Sequence, residues 1–256
     1  ENVSFSYPDT DRTALEDVSL NIRLGEVTAF FGSNGSGKTT LVKLLCRLYD
    51  STAGSITIDG TDIREFDVVD LRRNMSVIFQ DFAQYQLTVR ENIRLGNVML
   101  DEADSAIEDA ARGAGAEEFI GRLRHGYGTI LGKWFDEGEE LSVGEWQKIA
   151  LARAFVRNAQ ILVFDEPTSA LDPQAEWDVF QHIKELAMGR SVVLISHRFS
   201  TVRAADRIHI LDQGRIIESG THEELMGLGG RYAEMYEVQA RAYPAQTGPN
   251  SNQTLD

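Results

Sequence analysis

A mainly parallel α/β fold is predicted by three observations along this chain. Apolar runs of strand length recur over 27–31, 55–58, 75–79, 161–164, 191–195 and 207–211. Helix-like stretches separate them, the alternation expected where crossover helices cover a parallel sheet. The run over 27–31 is apolar on both faces except for Thr28, and it feeds directly into glycines at 32, 35 and 37, as a doubly buried strand leading into a tight turn would.

The elements follow in order. Val3, Phe5 and Tyr7 alternate with Ser4 and Ser6, the period of a half-buried strand that stops at Pro8-Asp9. A second alternating run is read at Val18, Leu20, Ile22 and Leu24. After the glycines, 38–48 reads as helix, with Cys46 packed among Leu41, Leu44, Leu45 and Leu48. Between 89 and 157 strand signals disappear, and 101–112, 116–123 and 143–157 read as helices, with Trp146, Ile149, Ala150 and Ala154 spaced as a core face. The Gly- and charge-rich stretch over 121–140 is read as exposed connecting loop, and Trp177 lies in a further amphipathic helix. From 243 to 256 the chain is polar with Pro244, Gly248 and Pro249, a flexible tail by composition.

Composition excludes several classes. Twenty-five Lys+Arg stand against 40 Asp+Glu in 256 residues, a formal net charge of −15, which makes a poor sequence-independent DNA binder because phosphate neutralisation needs clustered Lys and Arg. No run of 18 apolar residues exists to span a bilayer. The one cysteine permits no internal disulfide. The chain starts at Glu1, without Met and already within a strand pattern, and reads as a piece of a longer polypeptide.

Chemistry concentrates in two motifs. Gly32-Ser33-Asn34-Gly35-Ser36-Gly37-Lys38-Thr39 has the spacing of a phosphate-binding P-loop, preceded by a buried strand and followed by a helix. Its glycines let backbone N–H groups turn towards phosphate oxygens, Lys38 reaches the terminal phosphates, the Thr39 hydroxyl can ligate Mg²⁺, and Thr40 adds a phosphate contact. The second motif is the run 161–164 ending in Asp165 and Glu166. Acids at the C-terminal end of such a strand lie where ligands bind in open α/β sheets. Asp165 is read as holding Mg²⁺ through water, and Glu166 as the general base for an attacking water.

Twenty residues ahead of this acid pair stands Leu141-Ser142-Val143-Gly144-Glu145, followed by Gln147-Lys148-Ile149-Ala150-Leu151-Ala152-Arg153-Ala154. The stretch resembles the signature motif of ABC ATPases. Further landmarks follow in order: Tyr7, Gln80, Ser169-Ala170-Leu171-Asp172 and His197. The match runs from about Val3 to Gln239, and 196–202, 221–225 and 230–232 are similar to exporters that fuse this unit behind a transmembrane domain.

The resemblance implies a P-loop ATPase core with an N-terminal antiparallel β subdomain over 1–88 and 158–242, and an α-helical signature subdomain over 89–157. It implies ATP and Mg²⁺ as ligands and two chains sandwiching two nucleotides head to tail, a homodimer being self-consistent. It also implies a transmembrane partner domain at the cytoplasmic face of a membrane. Nucleic acid is not an expected partner. Ser142, Gly144 and Glu145 would meet the γ-phosphate held by the opposite chain. By residue type alone, Ser142 and Glu145 form a capping box. The usual two glycines and Gln are here Val143-Gly144 and Glu145, adding bulk and negative charge.

Tyr7 by pattern is a core or edge aromatic, and by resemblance it stacks on adenine. Gln80 is either a polar residue leaving a strand or an oxygen donor to Mg²⁺, and by resemblance the loop through Leu87 touches the membrane domain. His197 by resemblance contacts the γ-phosphate and positions Glu166. Asp172 either caps the helix opened by Pro173 or reaches across the dimer. The stretch 134–140 departs from the exporter pattern. The alternatives are an importer ATPase and a soluble ABC ATPase. Against the latter, no long coiled coil separates the two motifs and a single cassette is present.

Overall fold

The computed structural model describes residues 1–8, 10, 12–101, 103–133 and 138–242; the tail over 243–256 and four residues of the 134–140 stretch lie outside the described residues. The chain opens with the antiparallel pair β1 (Val3–Ser6) and β2 (Thr13–Val18). It then runs through β3 (Val27–Phe31) and a glycine loop into α1 (Lys38–Leu45). A short hairpin of β4 (Thr57–Ile58) and β5 (Thr61–Asp62) and the helix α2 (Val68–Arg73) lead to β6 (Met75–Ile78). Four helices follow: α3 (Val89–Arg94), α4 (Ala106–Gly113), α5 (Glu117–Arg122) and α6 (Val143–Phe155). The core resumes with β7 (Ile161–Asp165), α7 (Pro173–Ala187), β8 (Ser191–Ile195), α8 (Phe199–Val202), β9 (Arg207–Asp212) and β10 (Arg215–Gly220). The helices α9 (His222–Leu228) and α10 (Arg231–Ala242) close the described chain.

The central sheet has six strands in the order β10-β9-β3-β8-β7-β6, parallel throughout except for β10 on the edge. All five residues of β3 are buried, which explains its continuous apolar run, since helices cover both faces. On one face Ala29, Phe31, Leu162, Phe164 and Leu194 join Trp146, Ile149 and the α7 residues Val179, Phe180 and Ile183 in the largest core cluster. On the other, Phe30, Val163, Val193 and Ile195 pack on Val42 and Cys46 at the end of α1. Burying each large side chain contributes about 1.5–3 kcal/mol, so this two-sided clamp is the main force fixing strand order. Burial pushes the Cys46 thiol up to about 11, with Arg72 nearby opposing the shift.

Register aligns the strand exits. Phe30 faces Ile195, Ile195 faces Asp165, and Phe164 faces Ile78. Gly32, His197, Glu166 and Gln80, each one or two residues beyond those positions, are therefore delivered to one edge of the sheet.

Several expectations need correction. The second strand is Thr13–Val18, and 19–24 is not strand. Leu20 and Ile22 produced the alternation by packing against the Phe30 cluster without a ladder, while Leu24 is exposed. The helix expected from 101 begins at Ala106, because the carboxylates of Asp101 and Asp104 accept the amides of Ala103 and Ala106 and hold the chain in turns. The expected strand over 55–58 shortens to Thr57–Ile58. The 121–140 stretch is not simply an exposed loop: Thr129 and Leu131 are fully buried, and their backbone pairs with Leu87 and Val89. That pairing makes the bridge between Thr88 and Ile130, and Leu131 makes a second with Glu139, inside a stretch read as lacking strand signals. Trp146, Ile149, Ala150 and Ala154 are all buried, whereas Trp177 is 43% exposed on α7.

Candidate functional site: a phosphate-binding cleft

The loop between β3 and α1 is shaped by its glycines. Gly35 and Gly37 take positive φ values of 77° and 110°, and a Cβ on Gly37 would meet the carbonyl oxygen of Ala14 and the side chain of Leu15 at 2.8 Å. Only glycine fits there. Gly37 is also the N-cap of α1 and provides no side-chain cap, so the first amides of this helix stay open to an external acceptor. Lys38 is buried, and its Nζ donates to the carbonyl oxygens of Gly32 at 2.8 Å and Ser33 at 2.9 Å and to Ser36 Oγ at 3.4 Å. Burial lowers its pKa, opposed by the negative charge of Glu166 and Asp165.

Across the loop, Thr39 Oγ1 donates to Asp165 Oδ2 at 2.9 Å. Asp165 is buried, and burial raises its pKa although the Thr39 hydrogen bond pulls it down. Glu166 leaves the strand in the left-handed region at φ 53°, held by its amide N–H donating to the Ile195 carbonyl oxygen at 2.9 Å. For a non-glycine residue this conformation costs about 1–3 kcal/mol and is kept only where the surroundings enforce it. The result is a carboxylate between two groups: His197 Nδ1 lies 3.2 Å from Oε1, and Gln80 Nε2 donates to Oε2 at 3.3 Å. The Glu166 side chain is only 12% exposed, against 49% for His197.

These residues line one cleft of about 1110 Å³ together with Tyr7, Ser33, Asn34, Gly35 and Thr40. Tyr7 closes one end, its OH 3.1 Å from Thr40 Oγ1 and the Lys43 ammonium 5.4 Å from its ring centre. The size suits a nucleotide-scale ligand.

A second group of expected site residues does not line this cleft. Ser142 and Glu145 form the capping box of α6: Ser142 Oγ accepts the Glu145 amide, and Glu145 Oε2 accepts the Ser142 amide at 2.9 Å and its hydroxyl at 2.8 Å. Gly144 faces the Ala170 carbonyl oxygen, 3.2 Å from where a Cβ would stand. Asp172 caps α7, accepting the amides of Gln174 and Ala175 ahead of Pro173. Its capping role is therefore present in the structure.

Two contributors escaped the sequence reading. Gln147, fully enclosed on α6, donates to the Glu166 carbonyl oxygen at 3.3 Å and to Ser169 Oγ at 3.2 Å, and accepts the Ala170 amide at 2.9 Å. A polar residue on the buried face shared by Leu151 and Ala154 is a readable signal. Gln239, on α10, lines the cleft and donates to the His197 carbonyl oxygen at 3.0 Å. Nothing in its local sequence marks it.

The chain matches the family model described as ABC transporter over residues 15–169. It is 45% identical to an ATP-dependent lipid A-core flippase of Syntrophus aciditrophicus over 93% of this chain and 38% of that protein. It is 41% identical to a putative multidrug export ATP-binding/permease protein of Bacillus subtilis over 93% of this chain and 40% of that protein. A solved structure of a bacterial Atm1-family ABC exporter with ATP bound superposes with a TM-score of 0.87 at 38% identity, covering 97% of this chain and 42% of that one. The chain thus spans about two fifths of the length of these relatives. Open helix amides beside a buried lysine, an acid pair at the end of β7 on the far side of β8 and the family match over both motifs lead to one assignment: the chain belongs to the ABC transporter family, as an exporter-type nucleotide-binding domain.

Proposed function

We propose that this domain binds ATP in the cleft above β3, β7 and β8, hydrolyses it in a head-to-tail pair with a second copy, and drives a transmembrane domain at the cytoplasmic face of a membrane. The observation that carries the reading is the convergence of Lys38, Asp165, Glu166 and His197 around one phosphate-sized loop. Among the described residues no helix is long and apolar enough to cross a membrane, so the membrane-spanning part of this reading belongs to another segment or chain. The core over 1–88 and 158–242 holds the nucleotide, and the helices over 89–157 present α6 to the nucleotide of the opposite copy.

In this reading the triphosphate replaces the loop carbonyls as acceptor of the Lys38 ammonium, and the α1 amides bind its oxygens. Glu166, gripped by His197 and Gln80, takes the proton of the attacking water, while His197 fixes the orientation of that carboxylate. Tyr7 offers its face to the base, a stacking contact that tolerates any base. Mg²⁺ fits the donor set: the Thr39 hydroxyl, the buried Asp165 carboxylate and the Gln80 amide oxygen are hard oxygen donors. Bound there, Mg²⁺ supplies charge neutralisation at the phosphates.

The test is Glu166→Gln. Turnover of Mg-ATP is expected to fall by about 10²–10⁴-fold, the usual contribution of a general base, while ATP binding persists and ATP-dependent dimers accumulate in light scattering. Undiminished hydrolysis removes Glu166 from the base role.

A further inference from the structure

Glu176 is a carboxylate on α7, 3% exposed and well inside the molecule. It is held by four side chains. Thr168 Oγ1 donates to Oε1 at 3.2 Å, Ser200 Oγ and Arg198 Nη1 donate to Oε2 at 3.1 Å each, and Thr201 Oγ1 makes a further short hydrogen bond to Oε1. Arg198 is the neighbour of His197 in the chain. Its guanidinium also reaches the segment after Glu166, where Nη2 donates to the Ser169 carbonyl oxygen at 2.8 Å and Nη1 to the Leu171 carbonyl oxygen at 3.1 Å.

A planar guanidinium fixed on one side by a buried carboxylate holds its remaining donors in a rigid fork. Here the fork spans two loops, the one carrying Glu166 and the one carrying His197. From the opposite side Gln147 of α6 stitches the same 166–170 segment. A buried ion pair adds little net stability compared with apolar residues of the same volume. Its geometric specificity is what distinguishes it.

We infer that Glu176 and Arg198 are positioning residues that hold His197 in register with Glu166, tying the two loops into one unit whose spacing sets turnover. The inference rests on the ATPase reading proposed above. Neither residue touches the cleft: both act through the backbone of 169–171 and through the His197–Arg198 peptide.

The test uses the full chain with three variants, measuring kcat, KM for ATP and Tm. Glu176→Gln removes the charge and turns one of the two oxygens on which the four donors converge into a donor. It is expected to lower kcat about 10- to 100-fold, the scale of a sub-ångström to ångström misplacement, with KM within about twofold. Arg198→Lys retains a cation for Glu176 and cannot span both carbonyls, so kcat should fall by a similar factor while Tm stays near wild type. In the double variant Glu176→Met/Arg198→Met, the apolar pair should recover most of the Tm lost by Glu176→Gln, yet leave kcat depressed because the Ser169 and Leu171 carbonyls have lost the fork.

A kcat that recovers in step with Tm overturns the inference, since it marks a merely structural role. Wild-type kcat in Arg198→Lys also overturns it and decides the matter if the double variant does not fold. A wild-type chain that hydrolyses no ATP fails the underlying ATPase reading instead. Active wild type with unaffected Glu176→Gln fails the positioning inference alone.

Discussion

The amino-terminal ends of α1 and α6 offer the same groups, three or four unpaired backbone amides and the positive end of a helix dipole, and treat them in opposite ways. At α1 the cap is Gly37, which contributes no side chain, and Lys38 stands beside the open amides. At α6 Ser142 and Glu145 occupy the amides reciprocally, and the carboxylate adds a negative charge beside Arg122 at 3.8 Å. One end is kept ready for an anion. The other already has a local substitute for one. Ser142 Oγ takes only the Glu145 amide of α6, so in the proposed pairing a phosphate would meet fewer open amides there than at α1, with a carboxylate beside them.

Three changes probe this contrast. The largest effect is expected from Lys38→Ala, which removes a charge-assisted donor from the open end; ATP affinity measured by titration should weaken by about 3 kcal/mol, roughly a hundredfold. Unchanged affinity would remove α1 from the contrast. Ser142→Ala deletes the internal cap of α6. Melting experiments should show a loss of about 1 kcal/mol, ATP-driven association should weaken, and ATP affinity of the separate chain should stay as it was. If that affinity fell with stability, the two helix ends would not be acting independently. Glu145→Gln is the smallest and most discriminating change. Gln keeps the capping box but removes the charge, so ATP-driven dimers should tighten by about 0.3–1 kcal/mol, with the gain shrinking at high salt. A weakening would mean the carboxylate helps, and the contrast would be misdrawn.

Legibility in the sequence followed the same divide between local and tertiary causes. The glycine loop, Lys38, Thr39 and the Asp165-Glu166 pair are set by local rules: strand burial, required positive φ and motif spacing. The capping box at Ser142 and Glu145 is likewise local. The β2 boundary was not, because Leu20 and Ile22 imitate a strand while packing without ladder partners. Burial of Thr129 and Leu131 depends on pairing with residues some forty positions earlier, which composition cannot reveal. Glu176 looks like any helix acid until Thr168, Arg198, Ser200 and Thr201 close around it. Gln239 reaches His197 where edge-to-face contacts of Phe199 with Tyr232 and Tyr236 hold α10 beside that loop. Positions whose role arises from contacts distant in sequence are the ones pattern reading passes over.

The single thiol offers a practical consequence. Cys46 sits against the floor of the sheet with its proton held up to about 11, so at neutral pH it presents almost no nucleophilic thiolate and little accessible sulfur. Fluorophores or spin labels could therefore be attached through a new cysteine at a surface position away from the α6 end, such as Met188, 78% exposed, with the native sulfur left in place. Closure of the proposed nucleotide sandwich could then be followed by spectroscopy in an otherwise unaltered molecule.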